Sequence, residues 1–305
     1  MSPAAPAAAR PPFASLKRLP EFLVIWVPLL ISAGHVVTFA LWTTWMSFTP
    51  STLVPADGFV GLRNYNAVLA TRNWKIAFDN LLLFGSGFVV LSLSAGLILA
   101  ILLDQRIRGE NVLRSIFLYP LAVSFVVTGT VWSWLLNPGI GIQKLVNDLG
   151  WTSFRFDWLI DRDMAIWTIV ITAVWQSCGF AMALFLAGLR SVDGDLVKAA
   201  QIDGAGPVRI YRRVILPTLW PITITVAVIQ LQFAITTFDL VRALTGGGPG
   251  IATQLPALVV YDFMFQRGNL GRGAAAAVLM LLVLLAVLLP HWTWRAIQNR
   301  RAARG

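Results

Sequence analysis

Charged residues are scarce in this chain. Asp, Glu, Lys and Arg make up 12% of its 305 residues, whereas hydrophobic residues make up 57%. Soluble domains carry about 25% charged residues, so a share this low is atypical of a soluble globular domain. The mean hydropathy of +0.72 points the same way. Composition therefore indicates a membrane protein.

Cysteine, histidine and phosphate-binding motifs are also scarce or missing. Cys178 is the only cysteine, which excludes a disulfide framework within the chain. Neither His35 nor His291 has a metal-ligating partner at helical spacing. The sequence contains no P-loop, so we expect no cofactor on this chain and any ATP on another subunit.

Long apolar runs are abundant. Six of them are long enough to cross a bilayer, which takes roughly 20 residues as a helix, and none shows the alternation of a β-barrel strand. The sequence therefore predicts an all-α integral membrane protein with six transmembrane helices. The predicted spans are residues 23–47, 80–103, 115–136, 164–188, 215–238 and 273–294. They form one domain, 21–295, between an N-terminal tail (1–20) and a basic C-terminal tail (296–305).

The distribution of basic residues predicts the orientation. With both termini in the cytoplasm, cytoplasmic segments carry 15 Lys and Arg residues and the outer segments carry 9. This asymmetry satisfies the positive-inside rule. The topology and the lipid headgroups thus account for the high isoelectric point. No segment has the basic face with polar and aromatic residues that would indicate binding to a nucleic acid. The first apolar run is too long for a signal peptide, so we expect it to be retained.

The 190–214 loop is a polar, basic segment between two spans. Ser191 and Asp193 are candidate N-caps for a short helix over about 195–202, and Asp203 with Gly204 is expected to end it. Pro207 suits the first turn of the next helix. Three apolar residues of the short helix are spaced to share one face, which suits a groove on another protein: Leu196, Ala199 and Ala200.

This loop resembles the EAA loop of ABC-importer permeases. The resemblance rests on Lys198, Ala199, Ala200, Asp203, Gly204 and Ala205, with Tyr211 and Pro217 at matching distances. Lys198 stands where the family usually has Glu, and Tyr211 where it usually has Phe. In that family the loop is a coupling helix that inserts into a cleft of the ATPase subunit. The resemblance implies that role for Leu196, Lys198, Ala199, Ala200, Asp203, Gly204 and Ala205.

Two further blocks resemble the outer loops of carbohydrate-type permeases. One comprises Gly61, Leu62, Asn64 and Tyr65, followed by Asp79, Asn80 and Leu81; the other is the LTGGGPGIAT segment at 244–253. The resemblance extends over about residues 20–295. Within the family, the 103–109 and 245–250 segments look most like glucose/mannose permease subunits, with oligosaccharide and glycerol phosphate as alternative substrates.

The resemblance implies a set of partners. These are a second, homologous permease that completes a heterodimer, an ATPase dimer that holds ATP and Mg, and an extracytoplasmic solute-binding protein. Membrane lipid surrounds the chain, which would lie in the inner membrane of a bacterium or archaeon. We expect a transporter subunit without enzymatic activity of its own.

Polar residues within the spans are candidates for the sugar pathway. They are Gln230, Gln232, Thr236 and Thr237 in the fifth span and Trp175, Gln176 and Ser177 in the fourth. Polar groups in hydrocarbon face a cavity or one another, so the alternative is that these residues join helices together.

Two further expectations concern charge. Asp239 and Arg242 are spaced for an ion pair at the outer end of the fifth span. A secondary, ion-coupled sugar carrier is an alternative to the ATP-driven importer. It is disfavoured because the spans contain essentially no ionisable residue to relay ions.

Overall fold

The computed structural model describes residues 19–105 and 108–302, whose regular secondary structure is helical, with no strand among these residues. Most of the predicted N-terminal tail lies outside the described residues, as do Arg106, Ile107 and residues 303–305. The helices in this part of the chain are α1 (Leu19–Ser47), α2 (Arg63–Ala70), α3 (Arg72–Asp104), α4 (Glu110–Leu118), α5 (Phe125–Leu135), α6 (Ile142–Asp148), α7 (Ala165–Arg190), α8 (Gly194–Ile202), α9 (Pro207–Ile210), α10 (Leu216–Thr218), α11 (Trp220–Thr236), α12 (Asp239–Leu244), α13 (Pro256–Tyr261) and α14 (Leu270–Ala302).

Four of these helices contain apolar stretches long enough to cross a membrane: Trp26–Ser47, Arg72–Asp104, Ala165–Arg190 and Leu270–Gln298. The other two predicted spans are bent. Glu110–Ala122 meets Phe125–Leu135 at 98°, and Pro207–Thr218 meets Trp220–Thr236 at 64°. The number of spans reaches six if each bent pair is one span. The predicted all-α membrane fold is confirmed, and the structure adds that the third and fifth predicted spans are bent. The last helix, α14, runs without a break through the predicted boundary at 296.

Each bend has a local cause. In the first, Val123 and Ser124 adopt extended conformations between a 3-10 turn and α5. In the second, Pro217 and Pro221 flank Leu219, and proline supplies no backbone N–H to continue a helical ladder. A carbonyl freed within a membrane needs a donor. At the first bend the Gln176 side chain is that donor, since it donates to the Val123 carbonyl at 2.7 Å.

The core lies between α3 and α7, with α11 packed against both. Small residues allow the backbones to approach: a Cβ built at Gly96 would lie 2.6 Å from the Ala181 Cβ. One cluster of large side chains contains Phe84, Phe88 and Ile169, and a second contains Phe185 and Leu219. In the predicted orientation, the second cluster is at the inner, cytoplasmic end, next to α8.

Two asparagine amides, one buried and one half-buried, hold the outer end together. Asn64 donates to the carbonyls of Ser47 and Thr49 at 2.9 and 2.8 Å, which fixes the first loop against the end of α1. Asn80 donates to the carbonyls of Ala252 and Gln254 at 2.9 and 3.0 Å. The two outer sequence blocks therefore meet directly, and we call Asn64, Asn80 and the four carbonyls that they bind the outer clamp.

Candidate functional site

The short helix α8 forms as predicted. The Asp193 side chain caps it by accepting from the Asp195 N–H at 2.9 Å, so Asp193 rather than Ser191 is the N-cap. Ser191 instead donates to the Gly188 carbonyl at the end of α7. The helix covers Gly194–Ile202, in agreement with the predicted 195–202.

The end of α8 is a Schellman motif. The Ala205 N–H donates to the Ala200 carbonyl and the Gly204 N–H to the Gln201 carbonyl, both at 3.0 Å. This closure requires a left-handed residue, and Gly204 supplies it with φ +75°. Ala200 and Ala205 also pack against the inner cluster of the bundle. The geometry of this helix end and its packing against the bundle thus explain why the residues around Asp203 and Gly204 are small.

The two faces of α8 differ from the predicted arrangement. Val197 and Ala200 lie on the bundle side, so Ala200 does not share an outward face with Leu196 and Ala199. The outward apolar residues are Leu196, which is 52% exposed, and Ile202, which is 86% exposed. Ile202 was missed by the sequence reasoning, although an isoleucine in a polar loop was the available signal.

An exposed ion pair and a cleft lie next to α8. Lys198 donates to the Asp195 carboxylate at 2.9 Å, and both side chains are exposed. A cleft of about 340 Å³ lies between α8 and the bundle, lined by Asp104, Val197, Gln201, Ala205 and Tyr211 among others. The helix therefore rests on the bundle through few side chains and leaves an open space beneath it.

The membrane-level candidates divide into two groups. Gln230, Gln176 and Ser177 are buried inside this chain. The Gln230 amide has no hydrogen-bond partner among the described residues, and Gln176 is occupied with the bend at Val123. Gln230 and Thr237 do not lie on one continuous helix, because α11 ends at Thr236. These three side chains therefore lie inside the helix bundle of this chain and not on its surface.

The other group reaches the surface of the bundle. Gln232 and Thr236 are exposed on α11, and Thr237 is half-buried at its end. Thr236 and Thr237 donate to the carbonyls of Gln232 and Phe233 at 3.0 and 2.6 Å. Their oxygens keep lone pairs that can accept from a ligand hydroxyl.

A cleft of about 190 Å³ joins these threonines to aromatic side chains. It is lined by Phe125, Phe233, Thr236, Thr237, Phe238, Asp239 and Leu240. Trp175 on α7 is 40% exposed and contacts Trp132 edge-on, with ring centroids 5.7 Å apart. Aromatic faces beside hydroxyl acceptors suit a neutral, hydroxyl-rich molecule.

The predicted ion pair at the outer end of α11 does not form. Asp239 and Arg242 both lie in the described part of the chain, and no salt bridge joins them there. The Arg242 guanidinium instead lies over the Tyr261 ring, 5.4 Å from its centroid. The prediction was wrong because a ring from α13, distant in sequence, offers the cation a face.

Comparison with known families gives one match that covers most of the chain. The family described as binding-protein-dependent transport system inner membrane component matches residues 92–302. A probable ABC transporter permease protein of Pyrococcus horikoshii is 37% identical over 279 residues, covering 90% of this chain and 96% of that protein.

Further relatives have names that state a substrate. The trehalose/maltose transport system permease protein of Thermococcus litoralis is 33% identical, covering 87% of this chain and 90% of that protein. The sn-glycerol-3-phosphate transport system permease protein of Rhizobium meliloti is 31% identical, covering 80% and 82%.

Among solved structures, the chain is similar to one from a bacterial alginate ABC transporter in complex with an alginate pentasaccharide-bound periplasmic protein. The TM-score is 0.77 at 19% identity, and the match covers 92% of this chain and 95% of that one. At this identity the likeness concerns the fold.

Proposed function

This chain belongs to the binding-protein-dependent transport system inner membrane components, and from that premise we propose how it acts as the permease subunit of an ABC sugar importer. Membership in this family, whose members work with ATPase subunits and a solute-binding protein, decides against the secondary, ion-coupled carrier. The chain is a transporter subunit and not an enzyme. ATP and Mg are assigned to the partner ATPase.

We propose that α8 docks on the ATPase subunit. The observation that carries this proposal is a capped helix at the inner end with exposed apolar side chains, Leu196 and Ile202, and no covering element in the described structure. Ala199 and Lys198 lie on the exposed side, whereas Ala200, Gly204 and Ala205 hold the helix in place. Asp203 caps its end. A helix seated this way can transmit closure of the ATPase dimer to the bundle.

The sugar pathway is proposed along the exposed side of α11. In the cleft, Thr236 and Thr237 offer hydrogen-bonding groups, and Phe125 and Phe233 offer aromatic faces. Gln232 on α11 and Trp175 on α7 are exposed outside the cleft lining and are further candidates. The second permease would complete the cavity on the open side of this cleft as a heterodimer. Gln230, Gln176 and Ser177 would then support the wall from within rather than touch sugar.

Glucose, mannose or a related neutral sugar is the proposed substrate. The trehalose/maltose relative supports a neutral sugar, and because both of these compounds are disaccharides it also supports the oligosaccharide alternative. The glycerol phosphate relative supports the glycerol phosphate alternative. The cleft argues for a neutral ligand because its lining includes Asp239 and no Lys or Arg, and a phosphate would call for a cation. We place both termini in the cytoplasm and the chain in the inner membrane of a bacterium or archaeon.

Uptake in proteoliposomes tests this proposal. The complex is purified through a tag on this chain, together with its partners, and reconstituted with ATP inside and the binding protein outside. We expect labelled glucose or mannose to accumulate only with ATP. Accumulation of maltose or glycerol phosphate instead would correct the substrate, and gradient-driven uptake without ATP would overturn the importer mechanism.

A matched pair of variants tests the pathway. Thr236→Val removes a hydroxyl from the cleft at nearly constant volume and should raise the sugar concentration needed for half-maximal uptake. Thr225→Val removes a hydroxyl from the same helix outside the cleft, where it donates to the Pro221 carbonyl, and should leave uptake unchanged. If the two variants change the sugar concentration for half-maximal uptake equally, the cleft is not part of the sugar pathway.

A further inference from the structure

Arg190 joins three helices at the base of the 190–214 loop. It is the last residue of α7 and lies three residues before Asp193, the N-cap of α8. Its Nη2 atom lies 2.5 Å from Glu110 Oε1, and its Nε atom lies 3.9 Å from Asp104 Oδ1. Asp104 ends α3 and Glu110 begins α4, so one guanidinium bridges the end of α3 and the start of α4.

Two of the three charges suit their positions on the helix ends. A cation is favoured at the C-terminus of α7 and an anion at the N-terminus of α4. Asp104, however, lies at the C-terminus of α3, where a negative charge is unfavourable without a cation nearby. Glu110 follows Gly109, which has φ +82° and allows the chain to turn so that the two carboxylates approach one arginine.

These ion pairs are partly exposed and contribute little to overall stability. The side chains of Arg190, Asp104 and Glu110 are 45%, 33% and 24% exposed. Exposed ion pairs are weak individually. A planar guanidinium can nevertheless hold two carboxylates in a defined geometry, which an ammonium group does less well. The bridge is therefore better suited to fixing relative positions than to holding the fold together.

The position of α8 depends on its two ends. Beneath it lies the cleft of about 340 Å³, and on the bundle side it rests on Val197, Ala200 and Ala205. One end is continued by Pro207–Thr218, which leads into the bent fifth span. The other end reaches the bundle through Arg190. Apart from the three side-chain contacts, a displacement of α8 passes to the bundle through one of these two ends.

We propose that Arg190, with Asp104 and Glu110, is a positioning clamp that passes movement of α8 to α3 and α4. This inference rests on the proposed docking of α8 on an ATPase subunit. Without the clamp, α8 still docks and ATP is still hydrolysed, but its displacement is partly absorbed at the α7–α8 junction. The signature is uncoupling: less sugar is transported for each ATP hydrolysed.

The test compares Arg190→Gln with Lys144→Gln in the reconstituted complex. Lys144 forms an exposed ion pair with Asp148 at 2.8 Å on α6, away from the 190–214 loop, which makes it a matched control. The probe is whichever labelled sugar the wild-type complex accumulates. For Arg190→Gln we expect the ratio of sugar transported to ATP hydrolysed to fall at least about fivefold, a typical size for energetic coupling between sites. Lys144→Gln should retain the wild-type ratio.

Rescue separates a clamp from a merely structural arginine. Arg190→Lys keeps a cation beside both carboxylates and should lose less of the ratio than Arg190→Gln. The double variant Arg190→Glu with Glu110→Arg restores attraction between positions 190 and 110 and should give a higher ratio than Arg190→Glu alone. If Arg190→Gln prevents assembly, the same ratio of sugar transported to ATP hydrolysed is measured for Glu110→Gln, which leaves Arg190 beside Asp104. The clamp predicts a lower ratio for this variant than for the wild type.

A wild-type ratio in an assembled Arg190→Gln complex would overturn the clamp and leave the proposed function intact. So would a loss of ATPase activity and uptake in equal proportion, without rescue. Absence of ATP-dependent uptake from the wild-type complex would overturn the proposed function, and this inference with it.

Discussion

The outer and inner ends of the bundle are held by different kinds of contact. At the outer end, the amides of Asn64 and Asn80 donate to four backbone carbonyls, and the groups involved are buried or half-buried. At the inner end, α8 rests on small apolar side chains above a cleft, next to the exposed ion pairs of Lys198 and Arg190. Leaving a buried carbonyl without its hydrogen-bond donor costs about 1–3 kcal/mol, whereas breaking an exposed ion pair costs about 0–1 kcal/mol. The outer end is thus built to stay in place, and the inner end can shift at low cost.

Gly271→Ala should break the outer end most severely. A Cβ at Gly271 would lie 2.5 Å from the Thr49 carbonyl oxygen and 2.8 Å from Asn64 Nδ2, inside the outer clamp. We expect a loss of about 3 kcal/mol in the free energy of unfolding, as for other overpacked sites. Thermal denaturation of the purified protein measures it. Gly34→Ala, where nothing lies within 4 Å of the new Cβ, is the control. Equal melting temperatures for the two variants would contradict the clamp geometry.

Asn80→Ala should weaken the same end by about 2 kcal/mol, because it leaves the Ala252 and Gln254 carbonyls without their donor. Asn80→Asp keeps the side-chain shape but supplies no N–H, and should lose a similar amount. Denaturation curves compare the two variants. A wild-type melting temperature for Asn80→Asp would show that the two hydrogen bonds contribute nothing.

Gly204→Val sharpens the comparison at the inner end. No atom lies within 4 Å of a new Cβ, so the cost is backbone strain from φ +75°, on the order of 1–2 kcal/mol. We expect the complex to assemble and the sugar-to-ATP ratio to fall, because the end of α8 is distorted. Pull-down of the ATPase and the uptake ratio measure the two effects. Gly206→Val, at ordinary φ −68°, is the matched control. A wild-type sugar-to-ATP ratio in Gly204→Val would show that the left-handed turn at the end of α8 is not needed for coupling.

Lys198→Gln should have the smallest effect on stability. It breaks an exposed pair with Asp195, which contributes less than about 0.5 kcal/mol. Chemical denaturation should therefore match the wild type, while affinity for the ATPase in the pull-down reports any role at the docking surface. A destabilisation as large as that of Asn80→Ala would mean that the inner end is not held weakly.

Features set by local chemistry were predictable. Asp193 before the helix and Gly204 after it set the limits of α8 within one residue of the prediction, because caps and left-handed glycines act within a few positions. The position of Pro207 at the start of α9 was confirmed for the same reason. In each case the controlling residues are neighbours in sequence.

Features set by distant partners were not predictable. Hydropathy marks a run as apolar but does not reveal a 98° bend, and the carbonyl at that bend is satisfied by Gln176, which is 53 positions away. Arg242 has a suitable carboxylate three residues earlier, yet it lies over Tyr261. Ala200 faces the bundle, rather than a partner, because the inner cluster lies on that side.

By itself, the sequence determined the membrane class, the approximate positions of the spans, the capped helix α8 and the resemblance to ABC-importer permeases. These depend on apolar content and on short-range backbone chemistry, which are written in consecutive residues. Only the tertiary structure decided which polar side chains are buried and which are exposed, where spans bend, and that Arg190 meets Asp104 and Glu110. Those outcomes depend on the packing of helices far apart in the chain, where each polar group must find its partner among all the surfaces that folding brings together.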